Sequence, residues 1–231
     1  ELLQQVCKTK PVVLWKGGRT GAGAAVTASH TGSLATSETI WGTLSKQTGI
    51  ARVDNLEELA DTLLSFYVLG GFRGRNVGIL CVLSRVGGGD SVSATDACAS
   101  LGLEVPPFSS ETRRKLSVIL PWAGTILRNA LDVGMLGSLE TLEKTLAAIA
   151  ADPGIDLIIL YERIYELLFM MPGEVVPAIS RVLIQLKERQ PKPVVVVSPP
   201  GLPTTSEQGK IEQGLAVAQI PVYPNIERAA K

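Results

Sequence analysis

Five short apolar segments, separated by longer amphipathic stretches, constrain the fold of this chain most. They cover residues 77–83, 103–105, 155–161, 194–198 and 220–223. Strands that are buried on both faces of a parallel sheet are apolar along their length, and each parallel connection needs a crossover that is usually a helix. The pattern therefore predicts an α/β domain with a parallel sheet in the flavodoxin-like strand order 2-1-3-4-5.

The first part of the chain predicts only a piece of a second α/β domain. Residues 12–15 and 50–53 predict two short strands with one clear helix between them. Two strands make half a domain at most, so further strands of this domain are expected outside the chain. We expect residues 1–55 to be the C-terminal part of one flavodoxin-like domain, and residues 56–231 to form a second one.

Charge and hydropathy exclude several classes of protein. The 231 residues carry 22 basic and 22 acidic side chains, so the chain lacks the basic excess of a surface that binds nucleic acid or anionic membranes. A hydrophobic content of 45% excludes disorder. The longest apolar stretch, 155–171, is interrupted by charged residues and falls short of the ~18 apolar residues of a membrane span. We expect neither nucleic acid nor membrane as a partner.

Cysteine and histidine usage restricts the chemistry further. Cys7, Cys81 and Cys98 are odd in number and form no CxxC pair. Reduced thiols and a cytoplasmic location are therefore expected. Because His30 is the one histidine of the chain, a site with several histidine ligands is excluded, and no metal site is predicted.

His30 stands in a run of small and hydroxyl-bearing residues, 27–35, just before a predicted helix. Small side chains let backbone N–H groups approach an anion, and a helix N-terminus adds further donors with a partial positive charge. The imidazole could ligate a metal, act as a general base or carry a phosphoryl group as a nucleophile. From the spacing alone, an ordinary loop histidine next to a helix cap is favoured.

A glycine turn, 87–89, followed by Asp90, joins the first strand of the larger domain to its helix. Ligands of open parallel sheets bind at the carboxyl ends of the strands, and glycines let the backbone reach phosphate oxygens. The spacing matches neither a Walker A loop nor a dinucleotide-binding turn. A tight turn in which Asp90 caps the helix is as compatible with the motif as an anion site.

Three segments carry a resemblance to a known family. They are Lys10-Pro-Val-Val-Leu-Trp-Lys-Gly-Gly-Arg-Thr, Ala28-Ser-His-Thr-Gly-Ser-Leu-Ala and Ala51-Arg-Val-Asp-Asn-Leu-Glu-Glu-Leu-Ala. In order and spacing they resemble the NDP-forming acyl-CoA synthetases of the succinyl-CoA synthetase superfamily, and a weaker similarity continues to residues 220–230.

The resemblance implies the reaction acyl-CoA + NDP + phosphate ⇌ acid + CoA + NTP, with His30 as the transient phosphoryl carrier. It implies no tightly bound cofactor; CoA, ADP or ATP, phosphate and Mg²⁺ would be substrates or ions of the complete enzyme. The residues implied to bind phosphate are Ser29, Thr31, Gly32, Ser33, Gly87, Gly88 and Gly89.

By the same resemblance, the partners are a CoA-binding Rossmann domain and an ATP-grasp domain, in the same chain or a separate subunit, within an oligomer. This chain alone is then expected to be inactive. Two motifs differ from the family pattern: Asp90 replaces a proline, and Asn129-Ala-Leu-Asp132 replaces Asn-Pro-Val-Asp. The alternative hypothesis is therefore a degenerate, non-catalytic relative that acts as a binding or assembly module.

Overall fold

The computed structural model describes residues 1–31, 37–70, 72–82, 88–123, 127–134, 138–170, 175–200 and 206–231. The chain divides into two compact units, Glu1–Gly70 and Gly71–Lys231. This division falls later in the sequence than the predicted domain boundary at residue 55.

The first unit is built on a two-stranded parallel sheet in which Val13 pairs with Ala51 and Trp15 with Val53. In chain order its elements are α1 (Leu2–Val6), β1 (Val13–Trp15), α2 (Gly21–Thr31), α3 (Glu38–Thr48), β2 (Ala51–Val53) and α4 (Leu56–Leu69).

Helix α4 explains why the first unit extends to Gly70. The helix begins at Asn55, whose side chain accepts a hydrogen bond from the Glu58 N–H at 2.8 Å, and it ends at Gly70 in the left-handed conformation. Along its length α4 packs on both β1 and β2. It therefore covers the small sheet of the first unit instead of starting the second.

In the residues that the structure describes, the second unit is built on a five-stranded sheet. In chain order its elements are β3 (Val77–Cys81), α5 (Gly89–Ser100), α6 (Ser110–Ile119), a 3₁₀ turn (Pro121–Ala123), β4 (Leu131–Asp132), α7 (Leu139–Ala150), β5 (Leu157–Tyr161), α8 (Ile164–Met170), α9 (Val175–Arg189), β6 (Val194–Val197), α10 (Ser206–Val217), β7 (Val222–Tyr223) and α11 (Ile226–Ala230).

The strands are all parallel and lie in the order β4-β3-β5-β6-β7, which confirms the predicted order 2-1-3-4-5. The prediction of the edge strand is corrected. Residues 103–105 contribute a single parallel bridge, from Glu104 to Asn76, and the edge strand is Leu131–Asp132.

A side chain fills the gap between these two pieces of the edge. The Asn129 amide accepts from the Ile79 N–H at 2.9 Å and donates to the carbonyls of Val77 and Pro106 at 2.6 and 2.9 Å. The bonds to Ile79 and Val77 take the place of the backbone hydrogen bonds that a continuous neighbouring strand would make to β3. Asn129 therefore completes the edge of the sheet between Glu104 and β4.

Each face of the larger sheet carries its own apolar core. Helices α6, α7, α9 and α10 cover one face, where Leu80, Ile158 and Val196 are fully buried. Helices α5 and α11 cover the other face, over Ile79 and Ile159. Among the residues described, no helix is both long and apolar enough to cross a membrane.

Candidate functional site

His30 lies near the end of helix α2, where a loop was expected. The Thr20 hydroxyl accepts a hydrogen bond from the Gly23 N–H at 3.1 Å at the start of this helix. The helix then runs from Gly21 to Thr31, supported by this capping contact and by its four alanines. The expectation of a loop at His30 is therefore corrected as far as residue 31.

The helix changes what the groups around His30 can do. Within a helix, backbone N–H groups donate to carbonyls four residues earlier, so those of Ser29 and His30 are not available to an anion. The Ser29 hydroxyl donates to the Val26 carbonyl at 2.8 Å. Gly32 and Ser33 lie outside the described residues.

The His30 side chain is exposed, and its imidazole has no hydrogen-bond partner in the described part of the chain. An exposed neutral imidazole keeps a nitrogen lone pair accessible to a large substrate or to another domain. Position and accessibility therefore permit a nucleophilic role.

The glycine turn lies in the second unit, at the start of α5. Gly88 precedes the helix with φ +93°, a left-handed conformation that favours glycine, and no side chain among the described residues caps the first turn there. The first N–H groups of a helix have no acceptor within it. Gly88 and Gly89 therefore present backbone donors, while Gly87 lies outside the described residues.

A groove of about 910 Å³ runs beside α5 from this first turn. Its walls are formed mostly by small residues, with Ser91 and Ser93 near the turn and the side chains of Asp96 and Glu227 farther along. The positive end of the helix is thus the part of the groove that suits an anion.

One of the two predictions for this turn, that Asp90 caps the helix, is wrong, because Gly88 occupies the cap position. Asp90 lies in the first turn of α5, only 8% exposed, and both of its carboxylate oxygens accept from Nη2 of Arg163, at 3.0 and 3.3 Å. Arg163 follows strand β5, and its Nη1 also contacts Glu166 at 3.3 Å. The negative charge of Asp90 is therefore neutralised by the Arg163 guanidinium, which follows the neighbouring strand β5.

Other titratable groups lie at the carboxyl ends of β3 and β5. Burial, with the carboxylates of Asp132 and Asp90 adding to it, raises the pKa of the Cys81 thiol to about 12. This thiol stays protonated near neutral pH, so it is not a nucleophile. Burial and Asp90 also raise the pKa of Tyr161.

Glu162 is buried at the carboxyl end of β5 and is only 1% exposed. Burial raises its pKa to about 7, and its Oε2 has no hydrogen-bond partner among the described residues. Sequence reasoning did not select Glu162 or Arg163 as site residues. The available signal was a pair of charged residues directly after an all-apolar strand.

The two parts of the predicted site belong to different units, with His30 in the first and the glycine turn in the second. In the part of the chain that is described, no group of three His, Cys, Asp or Glu side chains could hold a metal ion.

Comparison with known proteins gives concordant matches. The family described as "Succinyl-CoA ligase like flavodoxin domain" matches residues 1–66. An ADP-forming acetate–CoA ligase I of Archaeoglobus fulgidus is 33% identical over 68% of this chain and 22% of the relative. The subunit alpha of an ADP-forming acetate–CoA ligase I of Pyrococcus furiosus is 29% identical over 100% of this chain and 47% of the relative.

The fold has a counterpart among solved structures. The dinucleotide forming acetyl-coenzyme A synthetase 1 of Ca. Korarchaeum cryptofilum, solved in complex with phosphate and ADP, matches with a TM-score of 0.81 and 23% identity. The match covers 99% of this chain and 47% of that one. The chain thus spans less than half the length of each of these proteins, and it belongs to the ADP-forming acyl-CoA synthetase family within the succinyl-CoA synthetase superfamily.

Proposed function

We propose that this chain is the central portion of an acyl-CoA synthetase in which His30 carries the phosphoryl group between the acyl and nucleotide substrates. The observation that supports this most is the place of the one histidine of the chain. It lies within the residues that match the succinyl-CoA ligase-like domain, on a helix, with its imidazole exposed.

The proposed chemistry has three transfers. Phosphate attacks the thioester carbonyl, so that an acyl phosphate forms and the CoA thiolate leaves. An imidazole nitrogen of His30 then attacks phosphorus, and the carboxylate leaves. Finally, a terminal oxygen of the nucleoside diphosphate takes the phosphoryl group from His30, which gives the triphosphate and restores the free histidine.

In this proposal, the backbone donors of Gly88 and Gly89 bind phosphate oxygens at the start of α5. The roles of Ser29, Thr31, Gly32, Ser33 and Gly87 stay predictions. CoA, ADP or ATP, phosphate and Mg²⁺ are substrates or ions of the complete protein, with no tightly bound cofactor.

Partners are part of the same proposal. The first unit exposes large apolar side chains, among them Trp15, Leu63 and Tyr67, beside a sheet of two strands. Large apolar side chains that are exposed in this way favour cover by further protein. We assign that cover to a CoA-binding Rossmann domain and place the nucleotide on an ATP-grasp domain, which leaves the isolated chain inactive.

A second candidate function rests on Asp90. Its carboxylate in the first turn of α5 opposes phosphate binding there, which favours a non-catalytic binding or assembly module. The two functions differ in turnover, since a non-catalytic relative can bind CoA or nucleotide without forming ATP.

The test is ATP formation by the full-length protein that contains this chain, supplied with acetyl-CoA, ADP, phosphate and Mg²⁺. We expect His30→Asn to lower the rate by at least ~10³-fold, the scale seen when a nucleophile is removed. Lys46→Gln, at an exposed position on α3, should leave the rate unchanged. CoA binding without any ATP formation by the unmodified protein, over a series of acyl-CoA substrates, would favour the non-catalytic alternative.

A further inference from the structure

A groove of about 570 Å³ lies between helices α6 and α7 on the surface of the second unit. Its lining is apolar apart from three basic side chains, here called the basic rim. We infer that this α6–α7 groove binds an acidic amphipathic helix of a partner protein. The apolar lining includes Val118, Ala147 and Ala151, and the basic rim consists of Arg114, Lys115 and Lys144.

The two helices have a second apolar surface beyond the one that the core uses. Leu116 on α6 and Leu146 on α7 are fully buried in the core of this sheet face. On the outside, Val118 is 78% exposed, and Ala147 and Ala151 are exposed one turn apart on α7. Small side chains four residues apart on a helix leave room for another helix to come close. The α6–α7 groove therefore offers apolar contacts that the fold of this unit does not use.

The basic rim determines the charge of the partner. All three of its side chains are exposed, and no acidic residue lines the groove in the described part of the chain. Lys115 pairs with Glu111 and Lys144 with Glu140, each one turn earlier on the same helix. Exposed pairs of this kind are weak, so carboxylates of a partner can replace them. Even with both glutamates counted, three basic and two acidic side chains leave one net positive charge, which favours an acidic partner.

The same charges argue against a second copy of this chain as the occupant. A two-fold contact of the groove with itself would bring the basic rim of one copy against the basic rim of the other. An amphipathic helix fits better, because its apolar side chains repeat every three to four residues along one face. Carboxylates on the flanks of that face would reach the basic rim while the apolar side chains enter the groove.

The α6–α7 groove is separate from the glycine turn. It is lined by the C-terminal halves of α6 and α7, which precede strands β4 and β5, whereas the glycine turn follows strand β3. In a parallel sheet, the residues before the strands and those after them lie at opposite edges. A partner in the groove would therefore leave the candidate site open, and the inference does not depend on the role of His30.

The experiment measures the fluorescence anisotropy of a labelled peptide as the full-length protein is added. The peptide is an amphipathic helix of leucine, alanine and glutamate, about 18 residues long so that it can form a helix. A second peptide has the same pattern with lysine in place of glutamate. We expect the glutamate peptide to bind at least ~10-fold more tightly than the lysine peptide.

Variants locate the binding to the groove. Val118→Asp should weaken binding of the glutamate peptide at least ~10-fold, because it places a carboxylate in the apolar lining. Arg114→Glu should weaken it about fivefold at about 0.1 M salt and less at about 1 M salt. Val217→Asp is the matched control, since Val217 is 80% exposed at the end of α10, and it should bind like the unmodified protein. Circular dichroism checks each fold; Val118→Ser replaces Val118→Asp where the fold is lost, and it should also weaken binding.

Equal binding of the two peptides, no binding of the glutamate peptide, or unchanged binding in Val118→Asp and Arg114→Glu would overturn the inference. Sedimentation of the full-length protein tests the second copy as occupant. We expect Val118→Asp to keep the oligomeric state, and a smaller assembly would assign the groove to a contact between copies instead. Because neither measurement involves ATP formation, failure here is distinct from failure of the proposed function.

Discussion

Within the described residues, the sheet of the first unit has two strands, and the sheet of the second unit has five. In the described part of the first unit, two apolar side chains are buried, Ile50 and Val53, while Leu56, Leu63 and Tyr67 are more than half exposed. In the second unit, both faces of the sheet carry a closed core. Burial supplies most of the free energy of folding, so the second unit holds most of the chain's own stability.

The same contrast separates the candidate functional groups. His30 is exposed on a helix of the first unit, which buries few apolar side chains. Asp90 and Arg163 are largely buried in the second unit, which has its own cores. A group that exchanges a ligand with other domains needs access, whereas an ion pair beside a packed core keeps its position without outside structure. The proposed carrier therefore depends on outside structure more than the Asp90–Arg163 ion pair does.

The largest expected effect separates the units. We expect residues 71–231, expressed alone, to unfold cooperatively in urea, because that unit contains its own core. Residues 1–70 alone should give no cooperative transition by circular dichroism. A sharp transition in the smaller piece would show that its two-stranded sheet is sufficient, and the contrast between the units would fail.

The next effect compares one leucine in each unit. Leu146 on α7 is fully buried, and Leu63 on α4 is 51% exposed. Leu146→Ala should lower the free energy of unfolding by about 2–5 kcal/mol, and Leu63→Ala should change it by less than about 0.5 kcal/mol. Urea denaturation measures both; similar losses would mean that other structure already covers α4.

The edge of the larger sheet gives a third prediction. Asn129→Ala leaves the Ile79 N–H and the carbonyls of Val77 and Pro106 without these partners. At about 1–3 kcal/mol for a buried polar group left unpaired, we expect a loss of about 2–4 kcal/mol in unfolding free energy. Asn55→Ala, which removes the cap of α4 in the first unit, should cost about 1 kcal/mol. Equal losses would contradict a special role for Asn129.

The fourth prediction concerns pH and Glu162. Its folded-state pKa of about 7 lies above its ordinary value of 4.5, so the folded state holds the proton more tightly than the unfolded state. Stability should be highest below about pH 4.5 for this group and fall by roughly 2–3 kcal/mol as the pH rises to 7.

Glu162→Gln should remove this dependence, whereas Glu140→Gln, at an exposed position on α7, should keep it. Urea denaturation over pH 4.5–8 measures the difference. An unchanged slope in Glu162→Gln would mean that Glu162 ionises in the folded state without penalty.

Apolar periodicity was sufficient to predict the parallel sheet and its strand order, since buried strands such as Leu157–Tyr161 and Val194–Val197 are apolar throughout. Apolar periodicity could not locate the edge strand, because Leu131–Asp132 is only two residues long. Next to it, the Asn129 side chain makes a hydrogen bond that strand backbone would otherwise make. A side chain that takes the place of strand backbone depends on three-dimensional contacts, which the spacing of residues along the sequence does not show.

The candidate site could be predicted in part for similar reasons. A lone histidine and a glycine turn are visible as residue types, but the helix around His30 follows from a capping contact of Thr20 with weak sequence signal. The pairing of Asp90 with Arg163 joins residues 73 positions apart, so only the folded sheet reveals it.

The most direct test of the central claim is phosphoryl labelling of the full-length protein with [γ-³²P]ATP and Mg²⁺. We expect a label that is lost in acid and kept in alkali, as for phosphohistidine. It should be absent from His30→Asn but present in Arg189→Gln, a control variant that breaks an exposed ion pair with Glu143. An undiminished label in His30→Asn would contradict the assignment of His30 as the phosphoryl carrier.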